Sequence, residues 1–183
     1  EIHPKTKTAL VRVPVLLGDI DTNTARAFGK GLEPFGTDVI RLGLRQDLVL
    51  VGVPAGRLPD LHALLASLGL DKTTGGVEDV VACTGADTCK LGMCFPKGAT
   101  RALVEAAAKA GLADNAFQGL RVHVSGCPNS CAQHMLADIG FFGAARRQGQ
   151  RMYPAYRIVV GGVLGRGKSR LARDIGQVAA KHL

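Results

Sequence analysis

The chain has no tryptophan, and aromatic residues make up only 4% of its 183 positions. Hydrophobic residues still amount to 46%, so a core is available, but it must be aliphatic and alanine-rich. The stacking platforms that hold single-stranded nucleic acid have no raw material here, and the basic residues are scattered; no nucleic-acid partner is expected. No apolar run approaches the roughly 18 residues of a membrane span, so no membrane association is expected. The opening EIHPKTK has no initiator Met, no apolar signal stretch and no small-residue cleavage site. It reads like the middle of a longer chain, a fragment or a processed subunit. Acidic residues are few: 15 Asp and Glu stand against 23 Lys and Arg, for a net charge of +8. The readings open to that charge are a soluble basic surface, an anionic cofactor or substrate, and an acidic protein partner.

What is present is a set of clustered cysteines. There are five, an odd number, and they are not spread along the chain as a disulfide framework would be. That suggests metal ligation in a reducing, cytoplasmic compartment. Cys83 and Cys89 form C-x5-C in CTGADTC, and Cys127 and Cys131 form C-x3-C in CPNSC. Four thiolates from two tight pairs suit an iron–sulfur cluster or a structural zinc. Zinc ribbons and knuckles usually use C-x2-C or C-x4-C, which neither pair shows, although Cys89 and Cys94 are C-x4-C. On spacing alone iron–sulfur, zinc and unmetallated core cysteines all stay open.

Along the chain, alternation in ALVRVPVLL predicts a strand over 9–17, and Asp21 or Thr22 can cap a helix running to about Phe35. DVIRLGL (38–44) reads as a strand with Ile40, Leu42 and Leu44 on one face and Arg41 on the other. DLVLVGV (47–53) reads as a strand buried on both sides. Leu58, Leu61, Leu64, Leu65 and Leu68 fall at helical spacing. This β-α-β-β-α order is most of a ferredoxin-like unit. DKTTGG (71–76) is the best boundary, giving domains 1–72 and 73–183. Beyond it, VEDVVA is a strand, Pro96 opens a helix to Gly111, and RVHVS, IGFFGAARR and YRIVVGG are further strands. SRLARDIGQVAAKHL is expected to be a final helix. The fold class is α+β, a ferredoxin-like subdomain followed by a mixed α/β domain.

ACTGADTCKLG, then about 40 residues later SGCPNSC and LADIGFFG, resembles the siroheme/4Fe-4S nitrite and sulfite reductase family. EIHPK and RLGLRQDLVLVGV resemble the start of that family's second ferredoxin-like half and its R-x-T-x-x-Q-N strand pair. The likeness runs in order over nearly the whole chain. It implies that Cys83, Cys89, Cys127 and Cys131 ligate a 4Fe-4S cluster, and that Cys131 also bridges to siroheme. It implies that Arg41, Gln46, Lys97 and Asn129 face the siroheme, whose many carboxylates call for a basic pocket. Asn129 and Ser130, inside the second cysteine loop, are placed to donate hydrogen bonds to cluster sulfur, with turn formation and helix capping after Pro128 as their alternative reading. Cys94 is not a matched ligand and is expected to be a buried structural thiol. His123 is expected to be packed and hydrogen-bonded. His3, His62, His134 and His182 show no metal-like spacing.

The resemblance makes this the C-terminal half of an enzyme reducing nitrite to ammonia or sulfite to sulfide. It implies an N-terminal half as partner, in the same chain or as a separate subunit, and an acidic electron donor such as ferredoxin, or a flavoprotein. No catalytic residue is named, because the family's substrate-binding basic residues lie mainly in the other half; this chain alone is expected to be inactive. A precorrin-3B synthase-like relative and a non-catalytic iron–sulfur or zinc module are the alternatives. Three positions depart from the family's pattern: Gly43 for Thr, Asp47 for Asn, and Ser125 for Thr. The first removes a hydroxyl, and the second places a carboxylate near an anionic cofactor unless it is paired. Finally, GVLGRGKS (162–169) fits the P-loop pattern, but only 14 residues follow Ser169. The further strands that a nucleotide site needs have no room, so the motif is rejected. Lys168 and Arg166 keep a possible place on a basic rim.

Overall fold

The computed structural model describes residues 2–36, 38–71, 80–111, 119–165 and 167–183. The chain divides into two compact units, Glu1–Thr74 and Gly75–Leu183. The first contains β1 (Thr8–Val13), α1 (Thr22–Leu32), β2 (Ile40–Leu42), β3 (Leu48–Pro54) and α2 (Leu58–Ser67). All pairings are antiparallel and the sheet order is β1-β3-β2, so the β-α-β-β-α order holds. Asp21 caps α1 by accepting from the amides of Asn23 and Thr24, each at 3.0 Å. Phe28 and Leu32 of α1 and Leu61 and Leu65 of α2 pack on Ala9, Val13, Leu50 and Val53, each large side chain contributing about 1.5–3 kcal/mol by burial.

Three sequence expectations need correction in this unit. β1 stops at Val13 rather than running to Leu17, because Pro14 has no amide to give the ladder and the chain turns into a 3-10 segment at Leu16–Gly18. β3 is buried on one face only, since both helices contribute to a single core. Its alternation is also broken: Ala9 pairs with Val53 while Val11 pairs with Leu50, an extra residue in β3. Gly52, at φ +73°, makes that bulge possible and lets Leu50 and Val53, three apart, reach the same core. Last, Leu42 and Leu44 are each 86% exposed; β2 is a three-residue edge strand, and helical cover does not reach them.

The second unit contains β4 (Val81–Ala82), α3 (Pro96–Lys109), β5 (Val122–Ser125), β6 (Ile139–Gln148), β7 (Arg151–Val160) and β8 (Arg173–Ala179). The sheet order is β4-β5-β6-β7-β8. β4, β5 and β6 are parallel; β7 and β8 are antiparallel to their neighbours. α3 packs against β4 and β5, closing the crossover that a parallel pair requires. Every residue of β5 is buried. The final helix expected over 169–183 is instead β8 followed by a 3-10 turn at Ala180–His182. Its apolar spacing fits a helix, but β7 offers an unpaired edge and Gly176, at φ +143°, is not helical; pairing with β7 wins over local pattern. GVLGRGKS accordingly runs through the Val163–Arg170 bridge towards a strand, without the helix N-terminus of a phosphate cradle. Arg166 and most of DKTTGG lie outside the described residues. Among the described residues no helix is long and apolar enough to cross a membrane.

Candidate metal centre

The two cysteine pairs sit on loops that leave the same, carboxyl ends of adjacent parallel strands. β4 and β5 are in register, Val81 opposite His123 and Ala82 opposite Val124. Cys83 follows β4 directly and Cys127 lies two residues past β5. In open α/β sheets that crevice is where ligands bind.

The first loop is a tight coil. The Cys83 amide donates to Val124 O at 3.1 Å, and the Cys89 amide donates to Gly85 O at 2.8 Å, which turns the chain back between the two cysteines. Thr84 and Thr88 hydroxyls meet at 2.6 Å across that turn. The loop is then closed by the Ala86 amide on Cys94 O at 2.9 Å. The second loop is locked to the first through one residue. The Gly126 amide donates to Cys83 Sγ at 3.1 Å, while Gly126 O accepts from the amides of Met93 and Cys94 at 2.9 and 3.1 Å. A side chain at Gly126 would meet Gly85 Cα at 2.7 Å, and one at Gly85 would overlap Pro96. The loops touch backbone to backbone, and only glycine permits it.

Behind the second pair, Ser125 gathers the return of the chain. Its hydroxyl oxygen accepts from the Ala132 amide at 3.3 Å and lies 2.9 Å from His134 Nδ1. His134 is buried and stacks on Phe142 with centroids 4.5 Å apart. Burial, and then the charge of His123, lower its pKa from 6.5 to about 4. The neutral imidazole can therefore accept the Ser125 proton. His123 itself contacts Gln133 O at 3.3 Å, the packed role expected of it. The start of β5 is pinned to β6 by Arg121, which donates to both oxygens of Asp138 at 2.9 and 3.0 Å and to Gly162 O at 2.8 Å.

The structure thus brings the two cysteine loops together. Cys83 and Cys89 are half-buried, Cys127 is buried and Cys131 is exposed, and all are free thiols. Asn129 is exposed beside Ser130, whose φ of +59° makes the turn. Lys97 is half-buried at the second position of α3. Arg41 and Gln46 belong to the first unit. Arg41 is bound to Asp38 through both carboxylate oxygens, at 2.9 and 3.2 Å, and Gln46 sits at φ +58° in the turn before β3. Asp47, the carboxylate that departs from the family pattern, is buried and paired with Arg12. Cys94 is buried with its thiol donating to Ala155 O at 3.4 Å, and burial pushes its pKa up. Sequence spacing did not reveal Gly126 or the pairing of Ser125 with His134; a C-x3-C loop preceded by Ser-Gly is the one available signal.

Among the described residues no three His, Cys, Asp or Glu side chains gather closely enough to hold a single metal ion. A 4Fe-4S cubane takes one thiolate on each of its four irons. An all-thiol donor set on two loops, with a backbone N–H already aimed at one sulfur, fits a cluster of that kind.

A ferredoxin-like α+β unit followed by a mixed-sheet unit, with two cysteine loops at the carboxyl ends of parallel strands, fits the class of cysteine-ligated metalloproteins. Residues 3–68 match the nitrite/sulfite reductase ferredoxin-like half domain, and residues 74–182 match the nitrite and sulphite reductase 4Fe-4S domain. The chain belongs to the nitrite and sulfite reductase family, whose cofactors are a 4Fe-4S cluster and siroheme. It is 33% identical over 160 residues to sulfite reductase (ferredoxin) 1 of Mycolicibacterium paratuberculosis, covering 85% of this chain and 29% of that protein. It is 30% identical to the ferredoxin–nitrite reductase of Synechococcus elongatus, covering 90% of this chain and 32% of that protein. The solved NirA protein of Mycobacterium tuberculosis superposes with a TM-score of 0.80 at 28% identity, over 96% of this chain and 33% of that one. Dissimilatory sulfite reductase I shares the fold, with a TM-score of 0.66 at 12% identity, over 91% of this chain and 57% of that one. The chain spans about a third of the length of the curated relatives named here.

Proposed function

We propose that this chain is the C-terminal part of a siroheme- and 4Fe-4S-dependent nitrite or sulfite reductase, with Cys83, Cys89, Cys127 and Cys131 as cluster ligands. The observation that carries the reading is the Gly126 bridge, which ties the loop of the first cysteine pair to the loop of the second at a sulfur. When bound, the cofactors would supply electrons one at a time to a six-electron reduction of nitrite or sulfite. The chain's own contribution is to hold and shield. Gly85 and Gly126 bring the loops into contact, and Ser125 and His134 fix the return past Cys131. Cys131, exposed at the end of its loop, would be the ligand that also holds siroheme.

Arg41, Gln46, Lys97 and Asn129 are proposed contacts for the macrocycle's polar edge. Arg41 would exchange Asp38 for a cofactor carboxylate, a charge-assisted pair of the same geometry. The donor is proposed to be an acidic one-electron carrier such as ferredoxin. Charge supports this: a cleft of about 820 Å³ in the second unit is walled by Arg146, Arg151 and Lys181, with no acidic residue in its lining. The remaining part of the enzyme would bring the groups that bind substrate and move protons, so this chain alone should not turn over.

The test is iron, acid-labile sulfide, zinc and extractable siroheme on anaerobically purified protein, with its optical spectrum. About four irons and four sulfides per chain, and siroheme present or restored by the other half, support the reading. Zinc without sulfide refutes it. Appreciable ammonia or sulfide made by the isolated chain with reduced viologen would refute its dependence on the other half.

A further inference from the structure

Cys131 is exposed, but the peptide that follows it is tied to the sheet. Ala132 is 2% exposed, and its amide donates to Ser125 Oγ at 3.3 Å. The same oxygen lies 2.9 Å from His134 Nδ1. Both side chains are buried, Ser125 at 1% and His134 at 2% exposure. Sheet register brings them together. Ser125 ends β5 and pairs with Phe142 of β6, and the His134 ring stacks on Phe142. An exposed sulfur is therefore carried on a buried anchor that belongs to the sheet rather than to the loop. The backbone around that sulfur is strained. Ser130 and Gln133 flank the Cys131–Ala132 pair at φ +59° and +57°. Neither is glycine, and the left-handed region is unfavourable for a residue that carries a Cβ. Such conformations persist where surrounding contacts over-determine them, and they gather where a side chain must be aimed. The Gln133 amide donates to Ser130 O at 2.7 Å, and Gln133 O meets His123 Nδ1 at 3.3 Å. The Ser125 contact falls between these two, at the residue next to the cysteine.

We propose that Ser125 and His134 are positioning residues: they hold the strained Cys131 turn, so that its exposed sulfur is already aimed when siroheme binds. The inference rests on Cys131 being the ligand shared with siroheme. Removing the Ser125 hydroxyl leaves the buried Ala132 amide without its acceptor. The turn can then relax towards the right-handed backbone that Ser130 and Gln133 prefer, and the pre-set direction of the Cys131 sulfur is lost. Groups that orient a ligand in this way tune how firmly it holds. The first cysteine pair does not depend on this clamp. Cys83 receives the Gly126 amide, and the Cys89 amide is held by Gly85 O. Losing the clamp should therefore loosen siroheme while the cluster stays in place.

The experiment follows siroheme leaving the holoprotein that contains this chain, by its optical spectrum, in the presence of an excess of a haem-scavenging protein. Iron and acid-labile sulfide are measured on the same samples. Ser125→Ala should release siroheme about tenfold faster, the scale of one buried hydrogen bond, with iron and sulfide per chain unchanged. Ser125→Thr keeps the hydroxyl and should restore the parent's rate. His134→Phe keeps a ring on Phe142 and removes the nitrogen beside Ser125. It should also speed release, and it carries the test if the alanine variant does not fold. A residue that merely held the fold would lose iron and siroheme in step. That result, or a release rate unchanged in both variants, or threonine releasing as fast as alanine, overturns the proposal. Absence of iron, sulfide and siroheme from the unsubstituted holoprotein would instead overturn the cofactor reading itself.

Discussion

Gly126 donates its amide to Cys83 Sγ at 3.1 Å, although the two residues are 43 positions apart and belong to different loops. That single contact, with the two amides received by Gly126 O, makes the cysteine loops one body before any metal arrives. A methyl group at 126 would press on Gly85 Cα at 2.7 Å and Cys94 O at 3.0 Å, both backbone atoms that cannot swing aside. Gly126→Ala should therefore destabilise the second unit by about 1–3 kcal/mol and cut iron loading at least in half. Thermal unfolding and iron analysis check this. A variant with normal iron and an unchanged melting temperature would show that the loops do not need the close approach.

The two departures in the β2–β3 turn prove to be one feature. A Cβ at Gly43 would overlap Asp47 Oδ1, and Asp47 is buried against Arg12. Position 43 must stay small because the buried carboxylate of Asp47 fills the space beside it. Gly43→Ala should cost about 1–3 kcal/mol with Asp47 present and much less in an Asp47→Ala background, where the obstacle is gone. A double-mutant cycle by urea unfolding reads the coupling directly. Additive single effects would mean that the turn opens without disturbing the Arg12–Asp47 pair.

Much of this was legible before the structure. Leucines at helical spacing and the Asp21 cap gave α1 and α2, and the cysteine pairs with their intervening residues pointed to the family and its cofactors. What stayed hidden depends on contacts between distant residues. Leu171, Ile175 and Val178 suit a helix by spacing, and only the open edge of β7 makes Ile175 and Val178 part of a strand, with Leu171 on the approach to it. Gly52 looks like any glycine in an apolar run until the Ala9–Val53 register shows the bulge. Gly126 gains meaning only through a partner 43 residues away, Cys83. Local pattern holds no trace of such pairings.

His134 should give the second unit a pH dependence of its own. Its folded pKa is about 4 against an ordinary 6.5. Between those values the unfolded chain binds a proton that the folded chain refuses, so stability falls as pH drops from 6.5 towards 4 and levels off below. The whole effect is on the order of 3 kcal/mol. His134→Gln keeps a partner for Ser125 and removes the titration. Denaturant midpoints between pH 4 and 7 should flatten in the variant relative to the parent. An identical slope in both would place the acid sensitivity elsewhere, with Asp138 the next group to test below pH 4: Arg121 holds its carboxyl below the usual range, so its contribution is present above about pH 4 and is lost as pH falls lower still.

The basic cleft offers the sharpest test of the donor reading. Arg146 pairs with Tyr153, and Arg151 with Gln148, across the β6–β7 hairpin. Lys181 follows β8 and borders the same opening. None of the three has an ion-pair partner among the described residues, so their field is available to an incoming anion. Charge at a docking rim acts mainly on encounter and on salt dependence. Reversing two charges with Arg146→Glu and Arg151→Glu should slow donor association at least tenfold at low ionic strength, where the Debye length is longest. The same change should flatten the decline of association rate with added salt. Reduction by a small uncharged chemical donor should be unaffected, because it needs no docking site. Stopped-flow kinetics with an acidic iron–sulfur carrier at several salt concentrations would decide it. A double variant that keeps the parent's rate and salt slope would show that the carrier docks away from this hairpin, and the +8 charge would then need another explanation.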